Sequence, residues 1–386
     1  MKTASWLVIA VIVVFGAAVV PRLSSALAAN AVNHQQDFGI FHRSAGCLLS
    51  GACSAYAAAD DVAPNLAPPH ALVLIAPFRA FDQQTGYYVF LLCSVMVLAA
   101  QALRIASALD LAPGPLAWLA VAAVVASSGL MDSLITSGNI YAFLAWPAVS
   151  AWLDWRRGRM LHAAAWLGAL ASCKVLVFLA LFYFLVQGLW RSALAMAASA
   201  GAIILAGIAI FGTAPYSAWL EILSRAPMSG QFHDASIMQT LLRVLSTTQQ
   251  FAPVMQAPDI VRPIWAAAAG LMATLAVTVP YRLADRALLA VLAAALLASP
   301  IGWILAAWWL IAPATAVWIA GGRVERIVVG AVAVLLWLPS TLPLSGQPSP
   351  LLTVTLGSLN FWCMLALLFV AALAPRPSLR PARKAA

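Results

Sequence analysis

The chain has 386 residues, of which 64% are hydrophobic and only 9% are charged, and its mean hydropathy is +0.95. Soluble globular proteins carry about 25% charged residues, so this composition excludes them. The formal net charge of +9 could suit a nucleic-acid-binding protein. In so apolar a chain it is better explained by basic loops that orient helices in a membrane.

The apolar stretches of the chain have the length, roughly 17 to 25 residues, that crosses a hydrocarbon core as a helix. Backbone polar groups in lipid must be satisfied within the segment, so these stretches predict helices rather than loops. We predict an all-α, polytopic transmembrane helix bundle of about twelve spans, with residues 1–386 forming a single integral-membrane domain. The expected spans are Trp6–Val20, Thr85–Leu109, Pro115–Leu130, Asn139–Trp155, Leu161–Cys173, Val175–Trp190, Ser192–Phe211, Pro263–Pro280, Ala287–Ser299, Trp303–Ala320, Ile327–Leu344 and Ser358–Ala374.

The first span, Trp6–Val20, also has features of a secretory signal peptide, because the residues Ala26-Leu27-Ala28 fit an A-x-A cleavage site. Its apolar run is as long as the other spans, and a Pro-Arg pair interrupts the approach to the site. We therefore expect the segment to stay as a membrane span, with cleavage as the alternative. In both cases the residues that follow it lie outside the membrane.

Charge placement predicts the orientation of the bundle. With the N-terminus inside, most of the 21 Lys and Arg residues fall in inner loops, including a basic cytoplasmic tail at residues 375–386. This is the distribution that the positive-inside rule describes. Most of the 12 Asp and Glu residues fall at or near the outer ends of the spans. We expect a multi-pass protein of the cell inner (plasma) membrane, with its chemistry facing the periplasm or exterior.

Residues 21–84 form a long first outer loop. Asp37 opens the stretch "DFGIFHRSAGCLLSG", whose apolar residues share one helical face, as in a helix lying in the membrane interface. The carboxylate of Asp37 can be explained as an N-cap of this helix or as a general base. Arg43 is an outer cation that could bind phosphate. Cys47 and Cys53 could pair in an oxidising compartment or remain reduced.

Other polar residues at the outer ends have competing explanations. His70 lies in the apolar, Pro-broken stretch "NLAPPHALVLIAPF", where it could bind substrate or be satisfied by local hydrogen bonds. The adjacent Asp60 and Asp61 fit a solvated loop better than a divalent-metal site. Asp132 and Asn139 flank "SLITSG", where they could line a cavity or cap helices.

Lys174 interrupts the apolar stretch "LHAAAWLGALASCKVLVFLALFYFLV" at the expected outer turn between the fifth and sixth spans. A lysine in this position can extend its ammonium to the membrane surface while its stem stays in the apolar layer. It can also provide a fixed positive charge for a lipid phosphate. The sequence leaves both explanations open.

Residues 212–262 form a second long outer loop. His233 and Asp234 precede the apolar helix expected in "ASIMQTLLRVLS", which also carries Arg243. Asp234 could cap that helix or take part in a site. The three side chains are candidates for substrate binding.

Six short patterns follow one another over residues 30–320. They are Asp37-Phe38 followed by "AGCLLSGACSAY", then "NLAPPHALVLIAPF", "SGNIYAFLAWP", "WLGALASCKVLVFL", "FHDASIMQTLLRVL" and "SPIGW". Their order and spacing resemble glycosyltransferase family 87, a GT-C fold family similar to polyprenyl-phosphate-mannose-dependent mannosyltransferases. The chain departs from the family at two places. "ILA" follows "SPIGW" where the family usually has acidic and His residues, and "GNIY" replaces a G-Q-x-N turn.

The resemblance implies an inverting transfer of a sugar, by family likeness mannose, from a polyprenyl-phosphate donor to a glycolipid or polysaccharide acceptor. It implies Asp37 as the catalytic base and Lys174 as the ligand of the leaving phosphate. The other substrate-binding candidates are Arg43, His70, Asn139, His233, Asp234 and Arg243. The scheme needs no metal, no other cofactor and no nucleic acid. The alternatives are a lipid or sugar transporter or flippase, and an inactive transferase-like scaffold.

Overall fold

The structure is a computed structural model that describes residues 36–51, 53–56, 65–111, 114–126, 128–225, 230, 232–248, 253–338 and 349–373. The expected first span, the possible cleavage site, the Asp60-Asp61 pair and the basic tail lie outside these residues. Within the described ranges the secondary structure is helical, apart from one isolated β-bridge between Asp234 and Trp303. The all-α expectation is confirmed.

The α-helices of the described ranges are numbered here in chain order. They are α1 (Gln36–Ser50), α2 (Gln83–Ala108), α3 (Pro115–Ala126), α4 (Gly129–Ser137), α5 (Tyr141–Arg156), α6 (Met160–Cys173), α7 (Leu179–Val186), α8 (Trp190–Phe211), α9 (Ala214–Arg225), α10 (Ile237–Leu245), α11 (Val261–Val277), α12 (Ala284–Ala298), α13 (Ile311–Ala320), α14 (Arg323–Trp337), α15 (Pro350–Val354) and α16 (Leu359–Leu373). Short 3-10 helices cover Pro69–Leu74, Ala76–Ala80, Val175–Phe178, Pro258–Ile260, Ile304–Trp309 and Leu356–Ser358.

The centre of the bundle is built around α12 and α5. Nearly every residue of α12 from Ala287 onward is buried, and it packs against α11, α13 and α16. This helix consists almost entirely of Ala, Leu and Val after its first turn, so it has no polar face to turn towards water. Its alanines let neighbouring helices approach closely, as small residues do in membrane bundles.

Four helical stretches of the described chain are long and apolar enough to cross a membrane: Gln83–Ala108, Trp190–Phe211, Pro258–Val277 and Pro350–Leu373. Large apolar side chains remain exposed on them, such as Leu103 and Leu205, which suits contact with lipid. Other expected spans correspond to shorter helices, so the number twelve remains a prediction. Membrane helices themselves are confirmed.

Two expected spans are interrupted in the structure. The predicted helix Pro115–Leu130 stops at Ala126, because Ser128 is extended and its hydroxyl accepts the Met131 N–H as the N-cap of a new helix, α4. The predicted span Trp303–Ala320 begins instead with the 3-10 helix Ile304–Trp309. Hydropathy alone does not detect either break, since all these residues are apolar or small.

The expected amphipathic helix after the first span is present as α1, and part of its apolar face is covered by protein, whereas Leu49 on the same face is exposed. Phe38, Phe41 and Ala45 are buried, because the two 3-10 helices Pro69–Leu74 and Ala76–Ala80 pack on that face. The contact of α1 with the membrane interface remains a prediction, and its buried residues form a contact within the protein. This contact fixes the position of α1 in the fold.

The end of α1 is fastened by a disulfide between Cys47 and Cys53. The Ser44 hydroxyl also donates a hydrogen bond to the Ala55 carbonyl at 2.8 Å. The pairing that the sequence left open is thus present in the structure. It stiffens the segment that follows the helix carrying Asp37.

Two ion pairs lie where α5 ends and α12 begins, at the end of these helices that is away from Asp37. Arg286 is paired with Glu325, and Arg156 lies 3.5 Å from Asp285. The indole Nε1 of Trp152 donates to the Asp285 carboxylate at 2.7 Å. Since α5 begins at Tyr141 and ends at Arg156, one end of the bundle is rich in Arg and the other end holds the candidate site.

Candidate active site

The candidate site is formed where several helices begin or end at one end of the bundle. Asp37 is the second residue of α1, Tyr141 is the first residue of α5, and Lys174 directly follows the last residue of α6. Helix ends bring backbone turns and polar side chains together, which an apolar helix interior cannot do. The site therefore combines residues that are far apart in the sequence.

Asp37 is held by Asn139. The Asn139 amide Nδ2 donates to Asp37 Oδ2 at 2.7 Å, and both side chains are buried, with 9% of Asp37 exposed. Because α1 begins at Gln36, Asp37 lies inside the helix and is not its N-cap. The Oδ1 atom of Asn139 is buried and meets no donor in the part of the chain that the structure describes.

A glycine makes the contact between Asp37 and Asn139 possible. Gly138 ends α4 in the left-handed conformation with φ +64°. A Cβ atom built on Gly138 would lie 2.6 Å from the Cβ of Phe38. A larger residue would both strain the backbone and push the turn away from α1.

Lys174 contacts an aromatic ring. Its Nζ lies 4.3 Å from the ring centroid of Tyr141, which itself stacks on Trp309 with 5.2 Å between the centroids. Among the described residues no carboxylate forms an ion pair with Lys174. The charge of the ammonium is therefore not neutralised by direct contact with a carboxylate of the described residues.

The charges of Asp37 and Lys174 influence each other. Burial raises the pKa of Asp37 to about 6, against the opposing effects of the Asn139 hydrogen bond and the Lys174 charge. Burial also lowers the pKa of Lys174 to about 8, while the Asp37 charge acts in the other direction. At pH 7 the carboxylate is mostly ionised and the ammonium mostly protonated. This state provides one proton acceptor and one cation that interact electrostatically.

The second outer segment is attached to the site by Asp234. The backbone around Asp234 pairs with that around Trp303, and the Gly302 N–H donates to the Asp234 carboxylate at 3.0 Å. The same carboxylate accepts the Ser236 N–H at 2.8 Å. Burial raises the pKa of Asp234, and these hydrogen bonds oppose the shift. The N-cap of α10 is Ser236, which accepts the Gln239 N–H, so the sequence interpretation of Asp234 as the cap is wrong.

Arg243 and His233 lie in the same part of the structure. The guanidinium of Arg243 is fully buried and donates to the Asp234 carbonyl at 3.3 Å and to the Thr240 hydroxyl at 2.8 Å. The ring of His233 contacts Trp303 edge to face. Burial, and secondarily the Arg243 charge, lowers the pKa of His233 to about 4, so the imidazole is neutral at pH 7.

The remaining two candidates lie in different surroundings. His70 is buried, and its ring nitrogens contact the Tyr216 hydroxyl at 3.0 Å and the Ser172 carbonyl at 2.9 Å. It thereby links the first outer segment to the end of α6, two residues before Lys174. Arg43 is exposed on α1.

A cavity of about 260 Å³ is lined in part by Val175, the residue that follows Lys174 in the chain. It runs between the start of α7 and the end of α12 and has a mainly apolar lining. The lining residues are Val175, Leu176, Leu179, Ala295, Ala298, Ser299 and Pro300.

The sequence did not single out Tyr141 and Trp309 as members of the site. Tyr141 begins a predicted span, and Trp309 lies within an apolar run. Aromatic residues are common at both kinds of position in membrane proteins, so nothing in the pattern distinguished these two.

The arrangement suits a displacement assisted by a base and a cation. Asp37 can accept a proton from an attacking hydroxyl, and Lys174 can stabilise an anionic leaving group. Among the described residues, no three His, Cys, Asp or Glu side chains are grouped as a metal site would require.

Comparison with known families agrees with this chemistry. The model of glycosyltransferase family 87 matches residues 65–304, more than half of the chain, a range that includes Lys174, Asp234 and Gly302. Neither a curated protein nor a solved structure matches the chain. On the strength of the family match, the chain belongs to glycosyltransferase family 87.

Proposed function

We propose that this membrane glycosyltransferase moves a sugar, with inversion at the anomeric carbon, from a polyprenyl-phosphate donor to a lipid or glycan acceptor at the outer face of the membrane. The observation that carries the proposal is that Asp37 and Lys174 interact electrostatically, while Asn139 and Tyr141 of one turn contact Asp37 and Lys174 respectively. One group accepts a proton and the other binds an anion. Sugar transfer from a lipid phosphate needs both.

The donor side of the reaction is supported by Lys174 and the cavity beside it. A phosphate bound at the ammonium would lie next to Val175 and Leu179, which can contact the first isoprene units. The phosphate needs no acid to leave, because it departs as an anion that Lys174 stabilises. Arg43 is exposed on α1, where we propose that it meets an anionic head group.

The acceptor side is supported by Asp37 and Asn139. The acceptor oxygen attacks the anomeric carbon as the bond from that carbon to the phosphate oxygen breaks. The hydroxyl proton passes to the Asp37 carboxylate, and polyprenyl phosphate leaves with the bonding electron pair. Asn139 holds Oδ2 of Asp37, and its own buried Oδ1 can orient a second hydroxyl.

Of the three candidates in the second outer segment, Asp234 and Arg243 would act by shaping the site. Asp234 and Arg243 are engaged in hydrogen bonds that attach this segment to the turn at Gly302. His233 is neutral and only partly buried, so it is the member of this group best placed to contact a sugar. His70 would support Lys174 by anchoring the end of α6.

Two features support an outward-facing site. Arg156 and Arg286 lie at the end of the bundle opposite Asp37, and basic loops favour the cytoplasmic side. The disulfide between Cys47 and Cys53 belongs to the same segment as Asp37, and disulfides persist in oxidising compartments. Mannose is proposed from the resemblance to the family.

The test is a transfer assay with purified protein in proteoliposomes. Polyprenyl-phosphate mannose should donate its sugar to an extract of envelope glycolipids, and GDP-mannose should not. Mass spectrometry of lipids from deletion and wild-type strains would then identify the acceptor as the precursor that lacks one sugar. Direct use of the nucleotide sugar would contradict the proposal.

A further inference from the structure

We propose that Tyr141 is a positioning residue that holds the Lys174 ammonium in place for a lipid phosphate through the face of its ring. The inference rests on the proposed role of Lys174 as the phosphate ligand. It adds a residue to which neither the family match nor the sequence patterns gave a role. It also assigns the stacked rings of Tyr141 and Trp309 a role in substrate binding.

The geometry comes from one contact. The Lys174 Nζ lies 4.3 Å from the Tyr141 ring centroid, within the range of about 6 Å over which a cation is attracted to an aromatic face. Tyr141 is only 3% exposed, so water competes weakly for this contact. Both Asp37 and Asp234 act electrostatically on the Tyr141 phenol, so the ring lies among the charged groups of the site.

An aromatic partner has a consequence that a carboxylate partner would not have. A carboxylate would neutralise the ammonium and occupy its N–H donors, so an incoming phosphate would have to displace it. The ring face orients the ammonium and leaves its net charge and its donors available. Lys174 is therefore held in place and still able to bind an anion.

The ring is itself fixed in position. Trp309 is 1% exposed, stacks on Tyr141 with an angle of 29° between the rings, and donates from Nε1 to the Tyr141 carbonyl at 3.4 Å. Asn139 and Tyr141 are two residues apart on one turn. Because Asn139 holds Asp37 and Tyr141 holds Lys174, this turn sets the separation between the base and the cation.

The experiment measures binding of farnesyl phosphate to the purified full-length protein, with farnesol as the control that lacks the phosphate. We expect Tyr141→Leu to weaken farnesyl phosphate binding about tenfold and Tyr141→Phe to stay within about twofold, because Phe keeps the ring. Farnesol binding should not change in either variant. Tyr281, whose ring contacts Arg282 at the other end of the bundle, gives the matched control Tyr281→Leu, which should bind as the wild type does.

A double-mutant cycle separates positioning from general packing. If Tyr141 acts through Lys174, the Tyr141→Leu/Lys174→Gln double variant should bind no more weakly than Lys174→Gln alone. Additive losses would overturn the inference. A fluorinated phenylalanine series at position 141 keeps the shape of the ring and weakens its negative face, so affinity should fall with each added fluorine. Equal affinity along the series would also overturn the inference.

The results distinguish this inference from the proposed function. If Lys174→Gln leaves farnesyl phosphate binding unchanged, the phosphate role of Lys174 fails, and the inference fails with it. If Lys174→Gln weakens binding and Tyr141→Leu does not, only the role of Tyr141 fails.

Discussion

Asp37 is buried and Lys174 is partly buried, and the two side chains interact electrostatically without forming an ion pair. A direct contact between Asp37 and Lys174 would satisfy both charges, yet Asp37 is bound by Asn139 and Lys174 by the Tyr141 ring. Breaking a buried ion pair to admit substrate would be costly, because each charge would lose its partner. Separate partners keep both groups ionised and accessible.

The first prediction is a bell-shaped dependence of kcat/KM on pH. Activity should rise as pH passes about 6, where the Asp37 carboxyl loses its proton, and should fall above about 8, where Lys174 loses its charge. The two groups interact, so the measured values belong to the pair. Initial rates between pH 5 and about 9.5 in proteoliposomes would test this. A rate independent of pH across that range would contradict it.

A second prediction concerns Asn139. Its amide donates to the ionised Asp37 and so favours the charged form. Asn139→Ala should therefore move the acid limb of the pH profile to higher pH and leave the alkaline limb in place. Gln187, whose amide donates to the Val277 carbonyl away from the site, gives the control Gln187→Ala. An unchanged acid limb in Asn139→Ala would show that this hydrogen bond does not tune the base.

Single residues show the limits of the sequence analysis. Asp37 and Lys174 could be selected because charged residues are scarce in this chain, and Lys174 also interrupts an apolar stretch. The environment of each could not be predicted, because Asn139 and Tyr141 are more than thirty positions from either residue. His70 was also selected, but its contacts with Tyr216 and Ser172 depend on packing between distant segments.

At the scale of elements, the turn from Gly138 to Tyr141 is the part of the fold that assembles the site. It ends α4, begins α5 and supplies Asn139 and Tyr141 to the two charged residues. The sequence predicted a helix start near Asn139, but the separate helix α4 was missed because the break at Ser128 depends on one capping hydroxyl. The sequence also predicted a helix in the second outer segment, which is α10. It did not predict that Asp234 attaches this segment to Gly302.

The third prediction tests this turn with a pair of glycine substitutions. Gly138→Ala places a Cβ 2.6 Å from the Phe38 Cβ at φ +64°, so it should destabilise the protein by at least about 1 kcal/mol and lower kcat/KM at least tenfold. Gly270, inside α11, has open space around its Cβ position. Gly270→Ala should keep full activity and be neutral or slightly stabilising. Thermal unfolding and transfer rates measure both, and equal behaviour of the two variants would contradict the role of the turn.

At the scale of the whole molecule, the bundle has one basic end and one end with the site. Composition alone predicted membrane helices, and four long apolar helices in the described chain confirm them. The number of spans was harder to predict. Short and broken helices such as α4, α7 and the 3-10 segments do not show as separate elements in a hydropathy pattern.

The fourth prediction concerns orientation. In a chain whose free cysteines are replaced by serine, a cysteine at the exposed position Glu221 should react with a membrane-impermeant maleimide on intact cells. A cysteine at the exposed position Arg282, at the opposite end of the bundle, should react only after the membrane is opened. The reverse pattern would place the site on the cytoplasmic side.

The central claim is that Asp37 takes the proton of the acceptor hydroxyl in a sugar transfer from polyprenyl phosphate. The most direct measurement is kcat for this transfer by purified Asp37→Asn, beside wild type and the exposed-carboxylate control Asp259→Asn. Asn can keep the hydrogen bond from Asn139 but cannot accept the proton, so kcat should fall about 10²- to 10⁴-fold with folding intact. Asp259→Asn should match the wild type. Transfer by Asp37→Asn within a few-fold of the wild-type rate would contradict the account.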